Sequence, residues 1–165
     1  MPRFQRHHFF AQVLSDLKRN LTDIPEADPQ HFQVLFETAK SSILAAADPR
    51  SFSSRILTLG IDGLTAQRAT QIALSLTYKA AGRMERMHQQ RLFITKAVWR
   101  SSGVPCLINP LKPSKADRRV AAAHRAADGK VYDIAHGLKI KGRYIWPGEE
   151  WCCHCYDRWL PPRHV

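Results

Sequence analysis

A chain of 165 residues with 44% apolar and 24% charged residues has the composition of a folded domain. That excludes a largely disordered polymer and a disulfide-stapled miniature, and the length is too short for two enzyme-sized domains. Lys and Arg outnumber Asp and Glu by 25 to 14, a formal charge of +11, so a polyanionic neighbour is expected. The excess is uneven: residues 1–60 carry 7 basic and 6 acidic groups, and residues 61–165 hold the remaining +10. No stretch approaches the roughly 18 to 20 continuous apolar residues that span a bilayer, and the first residues lack the apolar run of a signal peptide. Neither membrane insertion nor secretion by that route is expected.

The predicted elements begin with helices. Phe9, Phe10, Val13, Leu14, Leu17 and Leu21 recur at spacings of 3 and 4, an amphipathic helix with Asp16, Lys18 and Arg19 off the stripe. Asp28-Pro29 and Asp48-Pro49 each set a capping carboxylate before a proline suited to the first helical position, so two more helices are expected to start there. Both open an Asp-Pro-x-x-Phe pattern, read as reuse of one capping solution and not as a repeat. Thr65 caps a long helix running from Ala66 to about Leu92, with Ala69, Ile72, Ala73, Leu76, Ala80, Met84 and Met87 on one side. Residues 92–99 are β-branched and aromatic and read as a strand. Residues 101–115 read as loop and residues 116–127 as a short helix stopped by Gly129. Residues 130–134 and 138–146 resemble strands, with turns at Ala135-His136-Gly137 and Lys141-Gly142-Arg143, and residues 156–160 add a last strand. The fold class is α+β: N-terminal helices including one long helix, then a small antiparallel sheet with a short helix. Residues 1–60 form a helical arm and residues 61–165 the α+β domain.

All four cysteines fall in the last two thirds of the chain, three of them in Cys152-Cys153-His154-Cys155. Neighbours that close do not readily reach disulfide geometry, so a reducing compartment is expected. Cys153 and Cys155 project to one face if the segment is extended, and with Cys106 and either His124 or His136 they form a candidate zinc site. The spacing is not Cys-x-x-Cys. The plainer reading is of free, half-buried thiols packed beside Trp151 and Trp159, ahead of a structural zinc, with a catalytic thiol last. His124, Asp128, Lys130 and Tyr132 hold groups that a nuclease could use for acid/base work. A turn at Asp128-Gly129, a solvated Lys130 and a packed Tyr132 account for the same residues more simply. Arg83, Arg86, Arg91, Lys112, Lys115, Arg118, Arg119 and Arg125 are candidates for tracking nucleic-acid phosphates. Solvated helix faces are the commoner meaning of such residues, and no sequence-reading motif accompanies them.

In order, the chain shows Ala97-Val98-Trp99-Arg100-Ser101-Ser102-Gly103, then His124 with Asp128-Gly129-Lys130-Val131-Tyr132, then Pro147-Gly148-Glu149-Glu150 leading to Cys153-His154-Cys155. This order resembles the C-terminal domain of the phage Mu F-like head morphogenesis family, the minor head proteins of tailed bacteriophages, over roughly residues 64 to 156. Trp99, Ser101, His124, Asp128, Gly129, Pro147, Gly148, Glu149, Cys153 and Cys155 carry the likeness. Members often have Asn before the first Cys, Arg between the two and an acidic residue in the turn after the Trp; this chain has Cys152, His154 and no acid in residues 101–106. The resemblance implies a non-enzymatic component of the virion or procapsid, assembled in the host cytoplasm. Its implied partners are the portal or major capsid protein, with packaged DNA as a nonspecific neighbour. A nuclease or toxin-like effector is the alternative, and a small zinc-stabilised nucleic-acid-binding module a third reading.

Overall fold

The computed structural model describes residues 3–104, 106–107, 112–151 and 153–160, and the side chains from residue 10 onward. It is an α+β protein in the expected order. Helices α1 (Arg3–Thr22), α2 (Phe32–Leu44), α3 (Pro49–Leu57) and the long α4 (Ala66–Arg91) come first. Strand β1 (Lys96–Arg100), helix α5 (Lys115–Arg125) and strands β2 (Val131–Asp133), β3 (Leu138–Ile140), β4 (Arg143–Ile145) and β5 (Tyr156–Trp159) follow. None of these helices is long and apolar enough to cross a membrane. Packing divides the chain into two compact units, Met1–Ala80 and Ala81–Val165, so the boundary falls inside α4.

The first unit is helical. Its buried side chains include Val13, Leu17 and Leu21 of α1, Leu35 and Phe36 of α2, Phe52 and Ile56 of α3, and Ala69, Ile72, Ala73 and Leu76 of α4. These are the apolar positions at helical spacing, and Phe10 at the start of the first stripe is exposed. Phe9 lies outside the described side chains. Asp48 caps α3 as expected, accepting from the amides of Arg50 and Ser51 with Pro49 in the first turn. Asp28 does something different. Its carboxylate accepts from the amides of Gln30 and His31, closing a turn, and α2 starts only at Phe32 with His31 as its N-cap. The Glu26 carboxylate joins this unit across sequence, receiving Nε and Nη2 of Arg68 at 2.6 and 3.0 Å.

In the second unit the strand expected over residues 92–99 starts only at Lys96. The preceding residues terminate α4: the amides of Leu92 and Ile94 donate to the carbonyls of His88 and Gln89, and Phe93 takes a left-handed conformation at φ 56°. Helix-end carbonyls need those donors, and this need outweighs the strand propensity of Phe93 and Ile94. β1 is the centre of a three-stranded antiparallel sheet, order β2-β1-β5, with Ala97 opposite Tyr132 and Trp159. The region over residues 138–146 is a hairpin of β3 and β4. Its two-residue turn uses Lys141 and Gly142, both at positive φ, matching the twist of the paired strands. At Gly137 (φ +82°) an added Cβ would sit 2.7 Å from the Ile145 carbonyl oxygen, so this position requires glycine. The core of the unit gathers Ile94, Ala97, Trp99, Cys106, Ala127, Tyr132, Ile134, Ile145, Cys153 and Cys155.

Candidate metal centre

Three separate stretches deliver the site. α5 is started by a capping box in which the Ser114 side chain accepts from the Asp117 amide and the Asp117 carboxylate accepts from the Ser114 amide. The helix therefore has a defined register, and His124 in its last turn is its one fully buried side chain. Directly after it, the Gly129 amide donates to the Trp99 carbonyl, and the Trp99 amide to that of Lys130. The Asp128 carboxylate takes the Ser101 amide at 2.8 Å. These bonds tie the helix end to β1 and aim the loop carrying Cys106. The third stretch is turned back by Pro147-Gly148: the Glu149 carboxylate accepts from the Trp146 amide, and the Trp146 indole donates to the Ile134 carbonyl. Cys153 and Cys155 follow, just before β5.

The donor atoms of Cys106, His124, Cys153 and Cys155, all buried, lie within 4.8 Å of one another. A tetrahedral ion with M–S near 2.3 Å and M–N near 2.0–2.1 Å requires S to S edges of roughly 3.8 Å and S to N edges of roughly 3.6 Å. Cys106 Sγ and Cys155 Sγ are 3.8 Å apart, and Cys153 Sγ is 3.4 Å from His124 Nδ1. The first separation is far beyond an S–S bond, and the three thiols are free. Four buried donors within 4.8 Å of one another, two of their separations matching tetrahedral edges, could hold a thiophilic metal ion.

The histidine is oriented for this role. Its Nε2 lies 2.9 Å from Glu150 Oε2, and Glu150 is in turn engaged by the Arg143 guanidinium. The contact is close but not aligned as a hydrogen bond; the negative charge beside Nε2 favours the proton on that nitrogen and leaves Nδ1 as a lone-pair donor facing the thiols. Trp99 packs edge-on against the imidazole, 5.4 Å between centroids, and closes one side of the site. Without a cation, the four groups share protons. Burial disfavours charge on His124, but hydrogen bonds to Cys106, Cys155 and Glu150 outweigh it and carry its pKa up to about 11. Hydrogen bonds from Cys153 and Cys155 hold the Cys106 thiol well below its ordinary range, and the same cluster pushes Cys153 up.

The buried His124, not His136, completes the set. His136 is a correction to the candidate ligands: its side chain is 75% exposed, with Nδ1 3.4 Å from Asp133, because the turn over residues 135–137 projects it into solvent. Cys152 lies outside the described residues. His124, Asp128, Lys130 and Tyr132 do not converge on one open cleft. His124 faces the thiols, Asp128 holds the Ser101 amide, Lys130 is exposed and the Tyr132 hydroxyl donates to Asp157 at 3.0 Å. Among the candidate phosphate contacts, Arg86 is corrected as well. It is 9% exposed, with its guanidinium 5.1 Å above the Trp146 ring, because its stem and planar head are taken up by packing. Arg83 and Arg91 are half-buried, whereas Lys112, Lys115, Arg118, Arg119 and Arg125 are exposed. Glu150 is the functional residue that pattern reading passed over, since nothing local to its sequence marks it as a histidine partner.

Comparison of the chain with protein-family models, with curated proteins and with solved structures finds no match. The chemistry of the site therefore rests on its own residues.

Proposed function

We propose that this protein is a structural minor head protein of the phage Mu F-like kind, whose C-terminal unit is held together by a structural zinc ion. The observation that carries the proposal is the convergence of the ordered motif on one place. Trp99 covers His124, Asp128 and Gly129 tie α5 to β1, Glu149 turns the chain, and Cys153 and Cys155 meet His124. Residues scattered over some fifty positions are thereby used as one internal brace. A Cys3His set with no open coordination position matches structural zinc and leaves no protein-vacated corner for a substrate. Zinc also suits a small core in which thiols stand where larger apolar side chains would otherwise be needed. As a head component it docks on the portal or major capsid protein, within the procapsid and then the virion, and its positive charge suits a DNA-filled shell.

Two measurements test this reading. Elemental analysis of protein purified without chelator is expected to give about one equivalent of zinc; fewer than about 0.2 equivalents in folded protein rejects the metal. Mass spectrometry of purified procapsids and virions of the phage that encodes the chain is expected to find it in the particles. Absence from both rejects the head assignment.

A further inference from the structure

The outer face of the three-stranded sheet has no part in the metal site. Ala97 and Trp99 of β1 and Tyr132 of β2 point into the core, so Lys96, Val98, Arg100, Val131 and Asp133 point the other way. The register places Arg158 opposite Val98 and Tyr156 opposite Arg100 on the same outer face. A groove of about 570 Å³ opens there, lined by Val98, Arg100, Gly129, Arg158, Trp159 and Leu160. On this face Tyr156 and Val131 are each about half exposed, whereas Trp159, paired with Ala97, projects to the other side and borders the groove from the end of β5. Among the described residues, the cations Lys96, Arg100 and Arg158 share this face. The carboxylates among the described residues that reach it are Asp133, opposite Lys96 in the ladder, and Asp128, 3.7 Å from the Arg100 guanidinium in a solvent-exposed pair. Such a pair contributes little and yields readily to a competing anion.

We propose that this face binds single-stranded nucleic acid, with Arg100 and Arg158 on phosphates and Tyr156 as the stacking surface for a base. The charge is complementary to a polyanion: Arg100 and Arg158 both line the groove, and Tyr156 stands opposite Arg100 in the ladder, just outside it. The choice of strand follows from the apolar and aromatic share of the surface. A duplex offers cations its phosphates but keeps its base faces stacked, so Tyr156, Val98 and Val131 would gain nothing from it. Unpaired bases present π-faces that a pleated sheet with an exposed aromatic can accept, and an arginine beside the ring adds a second planar partner. The site is distinct from the exposed cations of α5, because His124 of that helix meets Trp99 on the inner face of the sheet. It stands independently of the head-protein reading.

Fluorescence anisotropy of a labelled twelve-residue oligothymidylate against the full chain, zinc-loaded, tests the proposal. Binding is expected to weaken with salt at a log–log slope of about −1.4 to −2.1, as for two or three phosphates on a single strand. Tyr156→Ala and Arg158→Glu are each expected to reduce affinity at least about fivefold, with zinc content and circular dichroism unchanged. Arg118→Ala/Arg119→Ala removes two charges from α5 and is expected to leave affinity within about twofold. No binding by the wild type, equal affinity for a duplex of the same length, or equal displacement by a poly-glutamate of matched charge overturns the assignment. So does an α5 double variant that loses as much affinity as the sheet variants.

Discussion

His124 is asked to do two things with two nitrogens, and the residue that separates them is Glu150. Removing that carboxylate leaves the four donors in place but frees the imidazole to rotate or change tautomer. Glu150→Gln is therefore expected to lower zinc affinity by roughly 10- to 100-fold, read by competition with a chromogenic chelator; an unchanged affinity would mean the ring is held by Trp99 and the helix alone. Gly137 makes an independent demand. A Cβ there meets the Ile145 carbonyl at 2.7 Å, on backbone that side chains rarely adopt. Gly137→Ala is expected to cost on the order of 1–3 kcal/mol, seen as a lower denaturation midpoint with zinc content retained in the folded fraction. The ligands show how little a local pattern reveals at this scale. Cys153 and Cys155 are visible as a pair in the sequence, whereas Cys106 stands 47 residues before Cys153. The choice between His124 and His136 is a choice between a helix's inner face and a turn's tip, which spacing alone does not make.

Among the elements, capping chemistry separates what is read directly from what is not. Asp48-Pro49 and Asp28-Pro29 look alike, yet one starts a helix and the other closes a turn, because the next residues at 29–31 remain outside regular helix. Ser114 and Asp117 form the capping box that sets the register of α5, and their Ser-x-x-acid spacing is a signal carried entirely by four consecutive residues. Ser114→Ala is expected to cost about 1 kcal/mol and, by fraying the first turns of the helix that carries His124, to weaken zinc retention at elevated temperature. A loss of stability with no change in zinc release would separate the helix start from the site. The Arg68 hydrogen bond that holds Glu26 below its ordinary pKa of 4.5 gives a pH-dependent counterpart in the helical unit. A depressed carboxylate pKa adds stability above the unfolded value and loses it as pH falls. Glu26→Gln is therefore expected to lower the melting temperature at pH 7, with the gap to wild type closing as the solution is acidified below about pH 4.5. A gap that persists in acid would assign the loss to packing.

For the whole molecule, the thiols are at once ligands and core: Cys106, Cys153 and Cys155 pack with Trp99, Ile134 and Ile145. Metal and fold should therefore be lost together. Ligation requires thiolates and a neutral imidazole, so protons compete with zinc, and acidification or a strong chelator is expected to release it. The near-ultraviolet signal of the buried Trp99 is expected to collapse in the same step, while much of the helical far-ultraviolet signal survives. Zinc release with Trp99 still ordered would show a core that stands without the ion. Composition, charge and periodicity by themselves determined the class of this protein. The α+β order, the long α4, the hairpin turn at Lys141-Gly142 and the core faces of the N-terminal helices all follow from interactions between residues three or four apart or within one turn. What only the tertiary structure decided is what depends on distant stretches meeting. The true start of β1 waited on how α4 ends, the fate of Arg86 on Trp146, and the fourth ligand on which histidine the fold turns inward. The positive charge divides in the same way: its sum is a property of the sequence, but its gathering beside an exposed tyrosine on one sheet face comes from strand register, which no count of lysines and arginines contains.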